Sequence, residues 1–191
     1  MALTKLQAIN EILTSVGETA MLTLVAGATD ATNAEVILDA EARKLLARGW
    51  AFNTDERFTL ANNSDGRVPV PADVLQIDAT DPDLDYVQRG GFLWDRARNT
   101  DLLWAPAECR VVRDLPFESC PYHIQRQIVA RAAQKYQRSY VGSPQLDGFA
   151  TEETLMATAD GADAEADSDD YNVLDNPELA YLRRNSYLGG R

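Results

Sequence analysis

The sequence predicts an α+β fold: an antiparallel helical bundle with an inserted small, mostly antiparallel β-sheet and an extended C-terminal tail. Three observations carry that prediction. Apolar residues recur at helical spacing before residue 49 and again after Pro121. Between them, short β-prone runs alternate with turn residues and prolines. The last two dozen residues carry large apolar side chains in a polar stretch, acidic up to Leu182 and basic after it. The expected organisation is residues 1–49 and 121–167 as the helical bundle, 50–120 as a β-rich insertion and 168–191 as the tail.

The first helix opens at Thr4-Lys5-Leu6-Gln7, a capping box in which the Thr hydroxyl and the Gln amide satisfy first-turn donors. Leu6, Ile9, Ile12, Leu13 and Val16 share one face, and Gly17 stands where a left-handed residue would end the helix. Glu18 to Thr29 reads as a loop. A second helix is expected from about Thr32 to Arg48, with Thr32-Asn33-Ala34-Glu35 as its capping box and Val36, Ile37, Leu38, Leu45 and Leu46 as its apolar surface. Its acids come early and its bases late, as the helix dipole favours.

The insertion begins at Trp50. Strands are expected at Phe58-Thr59-Leu60, Val74 to Ala79, Asp85 to Arg89, Phe92 to Asp95 and Cys109 to Arg113. Gly90-Gly91 joins two of them as a two-residue hairpin turn that needs positive φ at both positions. Prolines 69, 71, 82, 106 and 116 argue against long central strands.

The third helix starts around Pro121, with Ser119 or Cys120 as cap, and runs about 20 residues to Gly142-Ser143-Pro144. Ile124, Ile128, Val129, Ala132, Ala133, Tyr136 and Tyr140 form its apolar stripe; Arg126, Arg131, Lys135 and Arg138 cover the other side. A fourth helix is expected from about Thr151 to Ala166, with Leu155, Met156 and Ala159 inward and Gly161 as a weak point.

Charge is concentrated. The chain of 191 residues has 18 Lys and Arg against 30 Asp and Glu, a net charge of −12. Residues 1–138 hold 19 acids and 15 bases; Ser139 to Leu182 holds 11 acids and no Lys or Arg. Such a block is either solvated or laid antiparallel along the basic third helix. The acidity disfavours a binder that grips nucleic acid by neutralising phosphates. In the tail, Tyr171, Val173, Leu174, Leu179, Tyr181 and Leu182 read as anchors of a segment that orders on a partner, the other reading being a tail docked on its own domain.

No catalytic constellation is legible. His123 is the single histidine and has no nucleophile motif around it; Cys109 and Cys120 lack metal-knuckle spacing. No cofactor, catalytic residue or metal site is expected. The N-terminus lacks a signal-peptide pattern, and no apolar run nears the ~20 residues of a membrane span.

Five patches, in order, resemble the tail tubular protein A family of short-tailed (podovirus) phages. They are Ala8-Ile9-Asn10-Glu11-Ile12-Leu13 through Val16-Gly17-Glu18, Arg48-Gly49-Trp50-Ala51-Phe52-Asn53, Arg89-Gly90-Gly91-Phe92-Leu93-Trp94-Asp95-Arg96, Gly142-Ser143-Pro144, and Tyr171-Asn172-Val173-Leu174-Asp175. The resemblance implies a virion protein, assembled in the host cytoplasm, that acts as a head-to-tail adaptor or gatekeeper. It implies a ring, expected to be a dodecamer, between the portal protein and the tail nozzle protein (tail tubular protein B), with tail fibres near the junction. Genomic DNA would pass through without sequence-specific binding. On this reading the tail anchors meet the portal. The hairpin residues Arg89, Gly90, Gly91, Phe92, Trp94 and Arg96 meet the nozzle or fibres, or brace a neighbouring subunit. The competing expectation is a tail-associated glycan-degrading enzyme, motivated by plentiful carboxylates.

Overall fold

The computed structural model describes residues 2–23 and 29–168. Among these residues four α-helices, α1 (Lys5–Ser15), α2 (Thr29–Leu46), α3 (Tyr122–Tyr140) and α4 (Pro144–Ser168), flank in sequence five strands, β1 (Thr54–Leu60), β2 (Val74–Ala79), β3 (Tyr86–Arg89), β4 (Phe92–Asp95) and β5 (Ala107–Arg113). The α+β class holds. The insertion forms two sheets instead of one: an antiparallel β1-β5-β2 sheet and the β3-β4 hairpin.

The α1 capping box is present as read, Thr4 Oγ1 accepting from Gln7 N and Gln7 Oε1 from Thr4 N. The α2 start is corrected: the helix begins at Thr29, so Thr32 lies inside its first turns and is not the residue that precedes the helix. Its buried face is Ala31, Ala34, Leu38, Ala42 and Leu45, while Val36 is exposed. Small alanines let α2 approach its neighbours, and the β-branched Val36 falls on the solvent side.

Helix α3 is the centre of the bundle, packed against each of the other three helices. Pro121 is its N-cap, not Ser119 or Cys120. Buried Gln125 ties down the chain start: its Oε1 accepts from Leu3 N (2.7 Å) and its Nε2 donates to Phe117 O (2.9 Å). Tyr140 is half-exposed, stacked on Tyr136 at 4.6 Å between centroids.

Helix α4 begins seven residues before the expected Thr151, with Pro144 at its first position, where a missing N–H costs nothing. It runs antiparallel to α3, as the charge pattern suggested: Arg126 pairs with Glu153, Gln134 bonds Thr151 and Arg138 pairs with Asp147. The inward assignment is overturned. Leu155, Met156 and Ala159 are exposed, and the face toward α3 is Ala150, Thr154, Ala157, Thr158 and Gly161, spaced three and four apart. Gly161 is buried against Gln127; a Cβ there would fall inside the Gln127 side-chain amide. The long polar side chains of α3 occupy the space between the helices, so only small residues fit opposite.

Two separate cores result. Ile9, Ile12, Leu38, Leu45, Ile124 and Ile128 centre the helical one, and Leu60, Val68, Leu93, Cys109 and Val111 the other. Asn53 joins them. Its Oδ1 accepts from Trp50 N (2.8 Å), and its Nδ2 donates to Leu46 O (3.0 Å) at the end of α2 and Arg113 O (2.8 Å) at the end of β5.

Candidate functional site

The hairpin predicted around Gly90-Gly91 forms as read. Both glycines adopt positive φ (+60° and +82°), and nothing lies within 4 Å of where a Cβ would project. The turn is therefore a free tip held by β3-β4 pairing, Arg89 opposite Phe92 and Val87 opposite Trp94.

Alternation divides the hairpin into two faces. Tyr86, Leu93 and Asp95 are buried toward the β core. On the other face Arg89 stacks over Trp94 (4.4 Å to the ring centroid) and Arg67 over Phe92 (5.5 Å). The aromatics are half-buried beneath guanidinium groups. This pairing of Arg with Trp and Phe is typical of interface anchors. Arg96 is not part of the cluster: it pairs with Asp85 (3.2 Å) at the far end from the turn. Asp95, 1% exposed, accepts from Arg98 N (2.8 Å) and pairs with its guanidinium (3.2 Å), so a carboxylate braces the loop after β4.

Trp104 is not among the contact residues predicted from sequence. It is 67% exposed with φ +53°, a left-handed conformation rare for a large residue, and its ring lies over Gly66. A side chain at Gly66 would collide with that indole. The positive φ of Trp104 has no signature in sequence. With Phe92, Trp94, Arg67 and Arg89, it makes the loop side of the β module rich in aromatic and Arg groups.

The helical module presents a second surface. Phe149, Leu155 and Met156, at 72%, 66% and 58% exposure, stand on the outward side of α4 with the exposed acids Glu152 and Asp163. The anchors Tyr171, Val173, Leu174, Leu179, Tyr181 and Leu182 lie outside the described residues.

Groups with chemical potential are held in unreactive forms. Cys109 and Cys120 are free and buried, and burial pushes each thiol up to about 11, which keeps it protonated at neutral pH. His123 lines a groove with Tyr122, Arg126, Glu153 and Met156, where the cation and carboxylate already pair with each other. Among the described residues, no three His, Cys, Asp or Glu side chains could hold a metal, and no helix is long and apolar enough to cross a membrane.

Comparison with known proteins agrees with this surface-dominated picture. Tail tubular protein A of Klebsiella phage KP34 is 31% identical over 119 residues, which cover 62% of this chain and 63% of the relative. The aligned region thus spans less than two thirds of that relative's length. The sequence profile of the family described as tail tubular protein matches residues 6–171, from the first turn of α1 past the end of α4. The chain therefore belongs to the tail tubular protein family, structural components of the phage tail.

Proposed function

We propose that the protein is the subunit of an adaptor ring that joins the portal to the tail nozzle and forms part of the channel through which DNA is ejected. Twelve copies match the portal, and the ring assembles in the host cytoplasm. The observation that carries this reading is the outward side of α4. A free monomer in water gains nothing by exposing Phe149, Leu155 and Met156 together, whereas a ring subunit covers them. Charge supports the channel role. At −12 per copy, a ring repels the DNA backbone and avoids the counterion-release affinity of a basic bore. The C-terminal anchors Tyr171, Val173, Leu174, Leu179, Tyr181 and Leu182 engage the portal. The hairpin surface around Arg89, Gly90, Gly91, Phe92 and Trp94 faces the nozzle or tail fibres.

Mixing the purified protein with its cognate portal tests this directly. The expected result is a ring on the portal, visible by electron microscopy, and deletion of residues 170–191 weakens its binding by about tenfold or more, as loss of a hot-spot segment does. Failure of the full chain to bind portal at any salt concentration overturns the adaptor reading. Equal binding by the truncated chain overturns the role given to the anchors.

A further inference from the structure

Most of the cations among the described residues are paired, which makes the exceptions informative. Among the described residues, every Lys and Arg except Arg48, Arg89 and Arg131 has a described carboxylate within 4.0 Å. Arg89 rests on Trp94. Arg48 and Arg131 have no such substitute and lie close enough to repel each other. The Arg131 guanidinium is pushed below its ordinary pKa, first by burial and then by the Arg48 charge, with Glu41 opposing. Its Nε is buried without a hydrogen-bond partner among the described residues.

The surroundings add more positive charge than negative. Lys44 and Lys135 share a single carboxylate, Glu41, at 3.7 Å and 3.1 Å, and Glu41 is itself 5% exposed. Lys44, Arg131, Lys135 and Thr154 line one depression where α2, α3 and α4 meet. A partly buried guanidinium with no carboxylate partner among the described residues, beside a second one, is costly in an isolated chain. An incoming carboxylate removes that cost.

The complementary surface is on the same molecule but faces away. Glu152 and Asp163 have no cation partner among the described residues, and both are exposed. They share the outward side of α4 with Phe149 and Met156 at three-, four- and seven-residue spacing. Thr154, which borders the cationic depression, is on the opposite side of the same helix. A helix with its side chains is about 10 Å thick, so these acids cannot reach the depression of their own chain.

We infer that the depression lined by Lys44, Arg131 and Lys135, with the charge of Arg48 nearby, receives the outward side of α4 from a neighbouring copy of this chain. Carboxylates of Glu152 and Asp163 meet the cations, and Phe149, Leu155 and Met156 are covered at the same contact. The two surfaces differ, so the contact is heterologous and repeats around a closed ring. The inference rests on the ring reading and names the faces that would form it.

A charge swap tests the contact. Two variants are made, Lys44→Glu with Arg48→Glu, both exposed and at or beside the depression, and Glu152→Lys with Asp163→Lys on α4. Each alone is expected to weaken self-association, followed by sedimentation velocity with and without portal, by roughly tenfold or more, since like charges then face each other. Mixing the two variants, or combining all four substitutions in one chain, is expected to restore assembly because every contact again joins opposite charges. Arg131→Glu is compared with these surface variants, and circular dichroism confirms that each chain is folded. Assembly of either surface variant at wild-type strength overturns the inference, as does failure of the swap to restore it. If the wild-type chain never self-associates, with or without portal, it is the ring reading that fails.

Discussion

Gly161 shows how a single residue can reverse an expectation. In an isolated helix a glycine costs about 1 kcal/mol relative to alanine, so in sequence it reads as a weakness. In the fold it packs against α3, against a Gln127 amide with both polar atoms buried and unpartnered among the described residues. Gly161→Ala should therefore destabilise the protein by about 1–3 kcal/mol in urea unfolding, as overpacking does, although alanine is the better helix former. Gln127→Ala should relieve the collision, and the double variant should show a favourable coupling of about 0.5–3 kcal/mol. A neutral or stabilising Gly161→Ala would show that the amide swings aside freely.

Among the elements, the junction between α2 and the β module depends on a short run, Arg48 to Asn53. Trp50 enters the helical core and donates its indole N–H to Leu45 O (2.9 Å). Asn53 then bonds α2, its own turn and β5 at once. The ion pairs of Arg113 with Asp55 and Asp73 (2.7 Å each) lie nearby, with Arg113 stacked on Phe58. Exposed pairs of this kind contribute little, so Asn53 should dominate. Asn53→Ala leaves a buried N–H and two carbonyls without their partner and should cost about 3 kcal/mol. Denaturant midpoints for Asn53→Ala and Asp73→Ala measure the contrast. A loss below about 1 kcal/mol for Asn53→Ala would mean that core packing alone sets the junction.

At the scale of the whole molecule, each core encloses one thiol, Cys109 in the β core and Cys120 in the helical one. Both are raised from 9.0 to about 11 by burial, with smaller contributions from nearby carboxylates. The folded state therefore keeps these protons longer than the unfolded chain does. The stability that follows is fully present below about 9 and is lost as pH rises through about 11. Tyr86 and Tyr136, raised by burial, act in the same direction. Thermal unfolding followed between pH 8 and 11 should show a falling midpoint, with a shallower fall in Cys109→Ala and Cys120→Ala. An unchanged slope in both variants would assign the alkaline loss to other groups.

The sequence by itself determined the class, the α1 cap, the Gly90-Gly91 hairpin, the antiparallel charge match of α3 with α4 and the family resemblance. Those features depend on local backbone preference, short-range periodicity or the order of residues along one chain. It did not determine the start of α2, the division of the insertion into two sheets or the inward face of α4. It also gave no sign of the exposed indole at Trp104 or the unpaired guanidinium at Arg131. Each of these depends on what a residue meets from a distant part of the chain. Periodicity assigns the largest apolar residues inward, but the volume already filled by α3 decides which α4 residues fit there, and it admitted the small ones.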